Sequence, residues 1–318
     1  MTHKYPDLES VKSGVKSEVN AYIDAITVLG SLQTHLHDMN IECHIELKIW
    51  KKDGNYKTPD LLIHSGNYII VDHKYTESEN ETTLNGKIEE MKEYNKMFFL
   101  KNVKSKKEFM PEVVMLTPES VVKYFKEFLN CPITWGYEID GEIAIKQTIG
   151  AVKDPSISSL FNPNLTCSVA DEISKYKFFI SHPPLPYAAF IIFNVLFTLI
   201  KPPQFFKPEF EVKYDVILEG FNEMFPPWIR QEVKQLKVSR LSESLDFLDR
   251  VGWIKWFKTE KIIIVYKNKG RRVGDLLSYL IDKHANTIHS QKVKQFKKEL
   301  KKLDALRKPD AQKKLADF

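Results

Sequence analysis

The segment 58–74, TPDLLIHSGNYIIVDHK, constrains the fold more than any other part of this sequence. Two short apolar runs, 60–63 and 68–71, flank a Ser-Gly-Asn turn, and both Gly and Asn tolerate the positive φ angles of tight hairpin turns. We therefore predict an antiparallel β-hairpin centred near Ser65-Gly66. Its second strand contains Ile-Ile-Val, apolar on both faces, which is typical of a strand that is covered on both sides of a sheet.

Ionisable side chains stand at the end of both predicted strands. Asp72 and Lys74 are two residues apart, so alternation places them on the same face of the second strand. The hairpin brings Asp60, at the start of the first strand, opposite Asp72 to within about one residue of register. A strand covered on both faces rarely ends in ionisable groups unless they are paired or bind a metal. A surface hairpin whose ends happen to be charged is the alternative interpretation.

This set of two carboxylates and one ammonium suits metal-assisted hydrolysis of a phosphodiester. Mg²⁺ prefers carboxylate oxygens, retains several waters and bridges to phosphate, and a bound metal supplies a hydroxide nucleophile. We predict that Asp60 and Asp72 bind Mg²⁺ or Mn²⁺, while Lys74 orients the water and offsets charge on the phosphorus. The side chain of His73 alternates to the other face, so its backbone carbonyl is the expected ligand.

The order of the surrounding elements predicts an α/β fold. Apolar residues at three- and four-residue steps favour a helix over 10–39, and 41–50 is strand-like. After the hairpin, 83–99 has a helical pattern and 111–118 is a β-branched strand closed by a proline. A helix, three strands, a helix and a strand indicate a mixed central sheet.

The hairpin carries a motif that resembles a known group of nucleases. Pro59-Asp60 followed by Asp72-His73-Lys74 resembles the motif of the PD-(D/E)XK nuclease superfamily, whose members have the restriction-endonuclease-like fold. The chain departs from the usual pattern at Asp72, where Glu is commoner, and at His73, where apolar residues are usual. The resemblance implies metal-dependent hydrolysis that leaves 5′-phosphate and 3′-hydroxyl ends.

The resemblance extends over residues 10–120 and implies further site residues. Gly14-Val-Lys-Ser-Glu18 matches the Gly-x-x-x-Glu arrangement that members often place on the first core helix, which implies a catalytic, metal-assisting role for Glu18. Lys87 and Tyr94 occupy places comparable with the Gln or Lys and the Tyr on the helix after the Lys motif. The resemblance therefore implies that Lys87 and Tyr94 contact the nucleic acid.

The domain boundaries follow from these patterns. We assign 1–130 to the nuclease core and 131–184 to an extension that contains a hairpin around Asp140-Gly141. The next region, 185–275, is mostly helical and ends in a two-stranded hairpin.

This region, 185–275, resembles a winged helix-turn-helix domain. Apolar patterns predict helices at 186–200, near 210–225 and across 232–251, and a two-stranded wing follows around a Lys-Thr-Glu turn. In such domains the third helix meets base edges and phosphates. Winged helices also serve as protein-docking modules, so this use stays open as the alternative.

The resemblance to a winged helix implies that basic side chains of this region contact DNA. The predicted DNA contacts are Lys234, Lys237, Arg240, Lys258, Lys261, Lys269, Arg271 and Arg272, with Lys255 and Lys267 as further wing lysines. The charge distribution favours the same interpretation: residues 1–227 carry a net charge of −7 from 24 basic and 31 acidic side chains, whereas residues 228–318 carry +12 from 23 basic and 11 acidic. The total of +5 conceals this division, which favours a polyanionic partner for the C-terminal part.

The last segment, 276–318, is predicted to be a basic helical tail. Helical patterns cover 272–285 and 291–315, and ten of the 28 residues from 291 onward are basic. Such a block beside a basic wing is expected to follow the phosphates of a nucleic acid, so that affinity falls steeply with salt.

Cysteine usage and hydropathy predict a cytoplasmic protein without a membrane segment. Cys43, Cys131 and Cys167 form no Cys-x-x-Cys pair, which favours reduced and mostly buried thiols. The most apolar run, 185–200, has 16 residues and contains Asn194. A membrane span needs roughly 20 residues, so we predict a buried helix here.

These features predict an Mg²⁺-dependent endonuclease to which a winged helix and a basic tail deliver duplex DNA. The layout is similar to that of transposon-end nucleases of the transposase A subunit type and of restriction or anti-phage defence nucleases. A double-strand cut is expected to need a homodimer, or a partner nuclease or transposase. Two alternatives remain open. One is an inactive DNA-binding or assembly protein on a nuclease fold, which the intact Asp60, Asp72 and Lys74 disfavour, and the other is an RNA nuclease.

Overall fold

The structure, a computed structural model, describes residues 7–45, 49–50, 56–57, 59–64, 68–73, 81–92, 112–125, 132–137, 142–153, 155–161, 165–168, 183–199, 207–223, 238–267 and 275–316. The helices are α1 (Leu8–Asp38), α2 (Glu81–Lys92), α3 (Val122–Phe125), α4 (Pro155–Ser158), α5 (Leu185–Thr198), α6 (Tyr214–Glu223), α7 (Val238–Arg250) and α8 (Leu276–Ala316). The strands are β1 (Glu42–Ile45), β2 (Ile49–Trp50), β3 (Tyr56–Lys57), β4 (Leu61–His64), β5 (Tyr68–His73), β6 (Glu112–Pro118), β7 (Pro132–Tyr137), β8 (Glu142–Gln147), β9 (Leu165–Ser168), β10 (Glu209–Lys213), β11 (Ile254–Phe257) and β12 (Ile262–Tyr266).

A seven-stranded mixed sheet is built from the N-terminal part of the chain. Its strand order is β1-β4-β5-β6-β7-β8-β9. The pairs β5-β6 and β6-β7 are parallel, and the other neighbours are antiparallel. A parallel step needs a crossover connection, and α2 lies in the connection between β5 and β6. The predicted α/β class with a mixed sheet is therefore confirmed.

The hairpin formed by β4 and β5 has the predicted register. Leu61 faces Val71 at one end of the ladder, and His64 faces Tyr68 at the other. The pairing is symmetric about position 66, within the turn 65–67, which lies outside the described residues. Turn chemistry and strand alternation therefore predicted this pairing correctly.

Helices cover both faces of the seven-stranded sheet. On one face, the side-chain amide of Gln33 in α1 donates to the backbone oxygen of Cys43, and the Cys43 thiol donates to the backbone oxygen of Gln33, both at 3.4 Å. On the opposite face, Met115 of β6 is buried in a cluster with Leu84 of α2 and Phe125 of α3. A sheet covered on both sides explains why β5 carries an apolar run on both of its faces.

Three strands beyond the predicted core continue the same sheet. β7 and β8 form the hairpin that was predicted around Asp140-Gly141, and β9 pairs with β8. The seven-stranded sheet therefore extends beyond residue 130 and includes three strands from the segment 131–184. The physical reason is that β7 pairs in parallel with the buried strand β6. Such long-range pairing leaves no local signal in the sequence.

The chain divides into two compact units. The first unit comprises Met1–Asn20, Pro184–Ile217 and Ser239–Phe318. The second unit comprises Ala21–Pro183 and Leu218–Val238, and it contains the seven-stranded sheet. The predicted winged-helix region and basic tail thus fall mainly in the first unit, together with the start of α1.

Aromatic packing forms the core of the first unit. The ring of Phe193 in α5 lies 4.8 Å from that of Trp253 and 4.9 Å from that of Phe197, measured between centroids. Trp253 also stacks on Tyr279 of α8 at 5.3 Å. The helix predicted over 186–200 is thus confirmed as a buried helix. Within the described ranges, no helix has both the length and the apolar character to cross a membrane.

A three-stranded sheet in the order β10-β12-β11 completes this unit. The predicted wing corresponds to β11 and β12, but the helix predicted near 210–225 begins only at Tyr214. Phe210 and Val212 are buried, whereas their neighbours in β10 are exposed, so the segment has the two-residue period of a strand. The prediction of a helix was wrong for residues 209–213, because their alternation of exposed and buried side chains is that of a strand.

The helices predicted at 272–285 and 291–315 are a single helix, α8. The residues between those segments include no Gly or Pro that could end a helix. Asp275 caps its start, because one carboxylate oxygen accepts a hydrogen bond from the backbone N–H of Ser278 at 3.0 Å. The Ser278 hydroxyl donates a second hydrogen bond to the other oxygen of Asp275 at 2.6 Å. The hydroxyl bond first, and then the backbone bond, hold the pKa of Asp275 below its ordinary value.

Candidate functional site

The central hairpin carries, at one end, the two carboxylates that the sequence singled out. The recorded ladder ends at Leu61, which pairs with Val71, so Asp60 and Asp72 each lie one residue beyond the last recorded pair. Asp60 lies in a bend directly before β4, after the buried Pro59, and Asp72 is the penultimate residue of β5. Two acidic residues therefore stand next to the last recorded pair at this end of the hairpin, and their role as metal ligands stays a prediction.

The Asp72 carboxylate is embedded in the sheet. Its side chain is half-buried, and the Oδ2 atom is fully buried. In β6 its register partner is Met115, which packs beneath α2 and α3. One oxygen of this carboxylate is therefore enclosed by the fold at the end of β5.

The donor atoms at this end of the hairpin fit Mg²⁺ or Mn²⁺. Asp60, Asp72 and the backbone carbonyl of His73 offer only oxygen atoms, and Mg²⁺ is usually held by one or two carboxylates with several retained waters. Among the described residues, no three or more His, Cys, Asp or Glu side chains come together in a group that could hold a metal ion.

A second polar cluster, which the sequence analysis missed, lies on β1 and β4. Glu42 accepts a hydrogen bond from His44 Nε2 at 2.8 Å through one oxygen and from His64 Nδ1 at 3.0 Å through the other. The bond from His64 is the largest cause that holds the pKa of Glu42 below its ordinary value; burial opposes it, and the bond and charge of His44 lower the pKa further. We call Glu42, His44 and His64 the imidazole cluster.

The imidazole cluster lies on the same face of the sheet as Asp72. Glu42 faces His64 and His44 faces Leu62, so these positions share one face. Leu62 pairs with Ile70, and Asp72 is two residues after Ile70 in β5, so Asp72 shares that face. Alternation in the sequence 41–45 was the available signal for this cluster, but the pairing of β1 with β4 was not predictable from it.

The other predicted core residues have different surroundings. Glu18 is exposed on α1 and belongs to the first unit, whereas Asp60 and Asp72 belong to the second. Lys87 is exposed on α2. The predicted Lys74 and Tyr94 lie outside the described residues.

Two of the predicted DNA contacts on α7 and the wing form ion pairs with acidic side chains. Arg240 forms an ion pair with Glu243 at 2.7 Å, and Lys258 forms one with Asp246 at 2.8 Å. Lys261 is exposed at the end of the turn between β11 and β12. The basic character counted in the sequence is therefore largely neutralised along this part of α7.

Several further predicted contacts lie outside the described residues; they are Lys234, Lys237, Lys269, Arg271 and Arg272. Lys267 is described, and it does not belong to an exposed basic surface. Its side chain is buried, with the ammonium 5.7 Å from the centroid of the Phe210 ring. The prediction that it is a wing lysine available to DNA is wrong, because a cation held over an aromatic ring inside the fold cannot reach a phosphate.

Six exposed lysines lie on the distal part of α8. They are Lys292, Lys294, Lys297, Lys298, Lys301 and Lys302. Only one acidic residue, Glu299, stands between 291 and 302. We call these six lysines the α8 lysine surface, and its charge suits a polyanion.

Comparisons with protein-family models, with curated proteins and with solved structures find no match to this chain. The function is therefore inferred from the two aspartates, the imidazole cluster and the α8 lysine surface.

Proposed function

We propose that the protein is a metal-dependent endonuclease that hydrolyses phosphodiester bonds of duplex DNA. The observation that supports this proposal is the pairing of Leu61 with Val71, since continuing this register by one residue sets Asp60 opposite the partly buried Asp72. Paired carboxylates at a strand end are the minimum that a hydrated Mg²⁺ requires from a protein.

In this proposal, Asp60, Asp72 and the His73 carbonyl hold the metal. When bound, Mg²⁺ or Mn²⁺ polarises the phosphate and lowers the pKa of a coordinated water. Lys74 orients that water and offsets negative charge on the phosphorus. Glu18 assists at the metal, as the resemblance to PD-(D/E)XK nucleases implies.

The order of the elements supports both the nuclease core and the winged-helix domain that we propose. The series α1, β1, β4, β5, α2 and β6 is the series that the PD-(D/E)XK resemblance implies. In the C-terminal part, α5, β10, α6, α7, β11 and β12 follow one another as in a winged helix, with β12 between β10 and β11. Such a domain delivers DNA to the nuclease core in our proposal.

We assign the main DNA contact to the α8 lysine surface and not to the middle of α7. The ion pairs of Arg240 and Lys258 with acidic residues of α7 leave little net positive charge there. Replacing Lys297 and Lys298 by Gln is expected to weaken duplex binding and to lower the slope of log K against log salt by up to about 2, since each phosphate contact contributes about 0.9. Fluorescence anisotropy at several salt concentrations measures this slope.

The matched control for this measurement replaces two exposed lysines of the second unit, Lys123 and Lys153, by Gln. The control changes the net charge by the same amount, so we expect an unchanged slope if binding is local to α8. Equal slopes for both double variants would contradict the assignment.

A cleavage assay tests the proposed activity itself. Supercoiled plasmid, linear duplex and RNA are incubated with Mg²⁺ or Mn²⁺, and wild type is compared with Lys74→Ala. We expect cleavage of DNA that Lys74→Ala slows about 10²-fold, which is the usual effect of removing one group that stabilises developing charge. Cleavage that is unaffected by Lys74→Ala would refute the site assignment, and preferential cleavage of RNA would favour an RNA nuclease.

The ion pairs of α7 also favour a second use of the C-terminal unit as a protein-docking module. The helix presents Glu243, Asp246 and Asp249 beside Arg240 and Lys258, a mixed surface of the kind found at protein contacts. The partner in this case is a second copy of the chain, or a nuclease or transposase that cuts the other strand. Tight duplex binding without any cleavage would instead favour a DNA-binding or assembly protein.

A further inference from the structure

The three-stranded sheet of β10, β12 and β11 has one buried face and one open face. The inward residues are buried, among them Val212, Ile263 and Val265. By alternation and register, the opposite face carries the residues between them, and we call this set the outer wing face. It consists of Glu209, Glu211 and Lys213 on β10, Ile262, Ile264 and Tyr266 on β12, and Lys255 and Phe257 on β11.

The outer wing face is open to solvent along both of its edge strands. All of its charged residues on β10 and β11 are exposed, and Phe257 is 38% exposed. The three apolar residues of the middle strand, β12, are half-buried between these edges. The face is therefore an apolar stripe flanked by charges, which is the pattern of a protein interface with an apolar centre and a polar rim.

The charges of the outer wing face cancel, which disfavours a polyanionic partner. Its two glutamates balance its two lysines. Within the part of the chain that the structure describes, none of these four side chains forms an ion pair. The backbone of a nucleic acid would meet as many carboxylates as ammonium groups here. A protein surface with the opposite order of charges fits this face better.

The strand register makes the outer wing face complementary to itself. Glu211 and Lys255 both pair with Ile264, so these three residues form one row with opposite charges at its two ends. Consider a second copy that lies face to face with the first, related by a two-fold axis parallel to β12. In this arrangement β10 of each copy lies over β11 of the other. Each Glu211 then faces a Lys255, and the two Ile264 side chains meet at the axis.

The neighbouring row fits the same axis. Lys213 and Phe257 both pair with Ile262, so the axis along β12 sets each Lys213 ammonium against a Phe257 ring, a favourable cation–π contact. An axis that runs across the strands would instead place β11 against β11. Lys255 would then lack an acidic residue opposite it, because β11 carries only Lys255 and Phe257 on this face. The charges therefore favour the axis along β12.

We propose that the outer wing face is a self-association surface and that its occupant is a second copy of this chain, related by the two-fold axis along β12. The face is about 10 Å wide between its edge strands and about 17 Å long, which is smaller than a standard interface. The dimer is therefore weak, with a dissociation constant on the order of 100 µM. This inference goes beyond the proposed nuclease function and does not rest on it.

The test exchanges charges between two variants of the full chain. Self-association is measured by sedimentation equilibrium without DNA or divalent metal, at low salt because salt screens exposed charges. Glu211→Lys sets two ammonium groups against each other at both symmetric contacts, and Lys255→Glu does the same with carboxylates. We expect each single variant to associate at least about tenfold more weakly than wild type. An equimolar mixture restores opposite charges at both contacts, so we expect heterodimers at concentrations where each variant alone is monomeric.

Two further variants test the rest of the arrangement. A chain that carries both Glu211→Lys and Lys255→Glu has its charges exchanged, and we expect it to associate as wild type does. Ile264→Thr keeps a β-branched side chain but removes apolar area at the axis, and it is expected to weaken association about tenfold. The melting temperature of every variant reports on folding.

The matched controls are Glu219→Lys and Lys123→Glu. Both residues are exposed and lie outside the three-stranded sheet, on α6 and α3. They change the net charge by the same amounts as the two test variants. We expect each control to associate as wild type does, and we expect their mixture to show no gain.

Three results would each refute the proposal. They are a wild-type chain that stays monomeric up to about 1 mM, single variants that associate as wild type does, and a mixture that associates no better than its components. Heterodimers in the mixture, together with dimers of the doubly substituted chain, support it, because mixing does not relieve a folding defect in either chain. None of these measurements involves DNA cleavage, so failure of this proposal is distinguishable from failure of the proposed nuclease function.

Discussion

Replacing Asp72 by Asn is expected to slow DNA cleavage at least about 10³-fold. The amide preserves the size of the side chain but removes the charge that holds the metal. Metal ions contribute several kcal/mol to transition-state stabilisation in such reactions, and each 1.36 kcal/mol corresponds to about a factor of ten in rate. Rates of plasmid nicking under saturating Mg²⁺ measure the effect.

A second readout for Asp72→Asn does not depend on activity. Binding of Mn²⁺ to the free protein, followed by calorimetry or electron paramagnetic resonance, is expected to weaken strongly in this variant. Asp38→Asn is the matched control, because Asp38 is an exposed carboxylate at the end of α1 in the same unit. We expect Asp38→Asn to bind metal and cut DNA as wild type does.

The stability of Asp72→Asn separates a functional carboxylate from a structural one. Oδ2 of Asp72 is buried, and Asn keeps the size of the side chain at this position. If the carboxylate is kept for function, we expect a melting temperature close to that of wild type, because functional residues commonly contribute little to stability. A large fall in melting temperature, with metal binding intact, would show that Asp72 supports the fold and is not a metal ligand.

The sequence was sufficient to predict the central hairpin because its determinants are local. The Ser-Gly-Asn turn fixes the centre of the hairpin, and the apolar alternation fixes which residues face each other. The pairing of Leu61 with Val71, next to Asp60 and Asp72 in the sequence, follows from these two features and needs no tertiary information. The same reasoning predicted the hairpin of β7 and β8 around Asp140-Gly141.

Features that depend on distant pairing were not predictable in this way. The imidazole cluster exists because β1 pairs with β4, which brings Glu42 beside His64, 22 residues later. The ion pair of Lys258 with Asp246 likewise joins the wing to α7. A count of charges in the sequence does not show which side chains form ion pairs. The sequence analysis therefore overestimated the positive charge that α7 presents. By contrast, the alternation in β10 was a local signal that could have been used.

Replacing Phe193 by Ala is expected to lower the free energy of unfolding of the first unit by about 3–5 kcal/mol, the usual cost of removing a buried aromatic side chain. Phe193 is buried and contacts both Phe197 and Trp253 through its ring. The loss leaves a cavity where α5 meets the start of β11. Hydrogen exchange of α5 and β12 amides, followed in denaturant, measures the change.

Phe257→Ala provides the matched control, because it removes the same side chain from a position in β11 that is 38% exposed. We expect a cost of about 1 kcal/mol or less there, as for most surface substitutions. Equal costs at the two positions would contradict the assignment of the core.

The consequence of Phe193→Ala for function follows from how α8 is held. Trp253 packs on Phe193 at one side and stacks on Tyr279 of α8 at the other, and α8 carries the proposed DNA-binding lysines. Loosening this packing is expected to weaken duplex binding as temperature rises, before the seven-stranded sheet unfolds. The proposed metal ligands Asp60 and Asp72 belong to the other unit, so binding of Mn²⁺ is expected to persist under the same conditions. Loss of DNA binding and of Mn²⁺ binding at the same temperature would contradict this expectation.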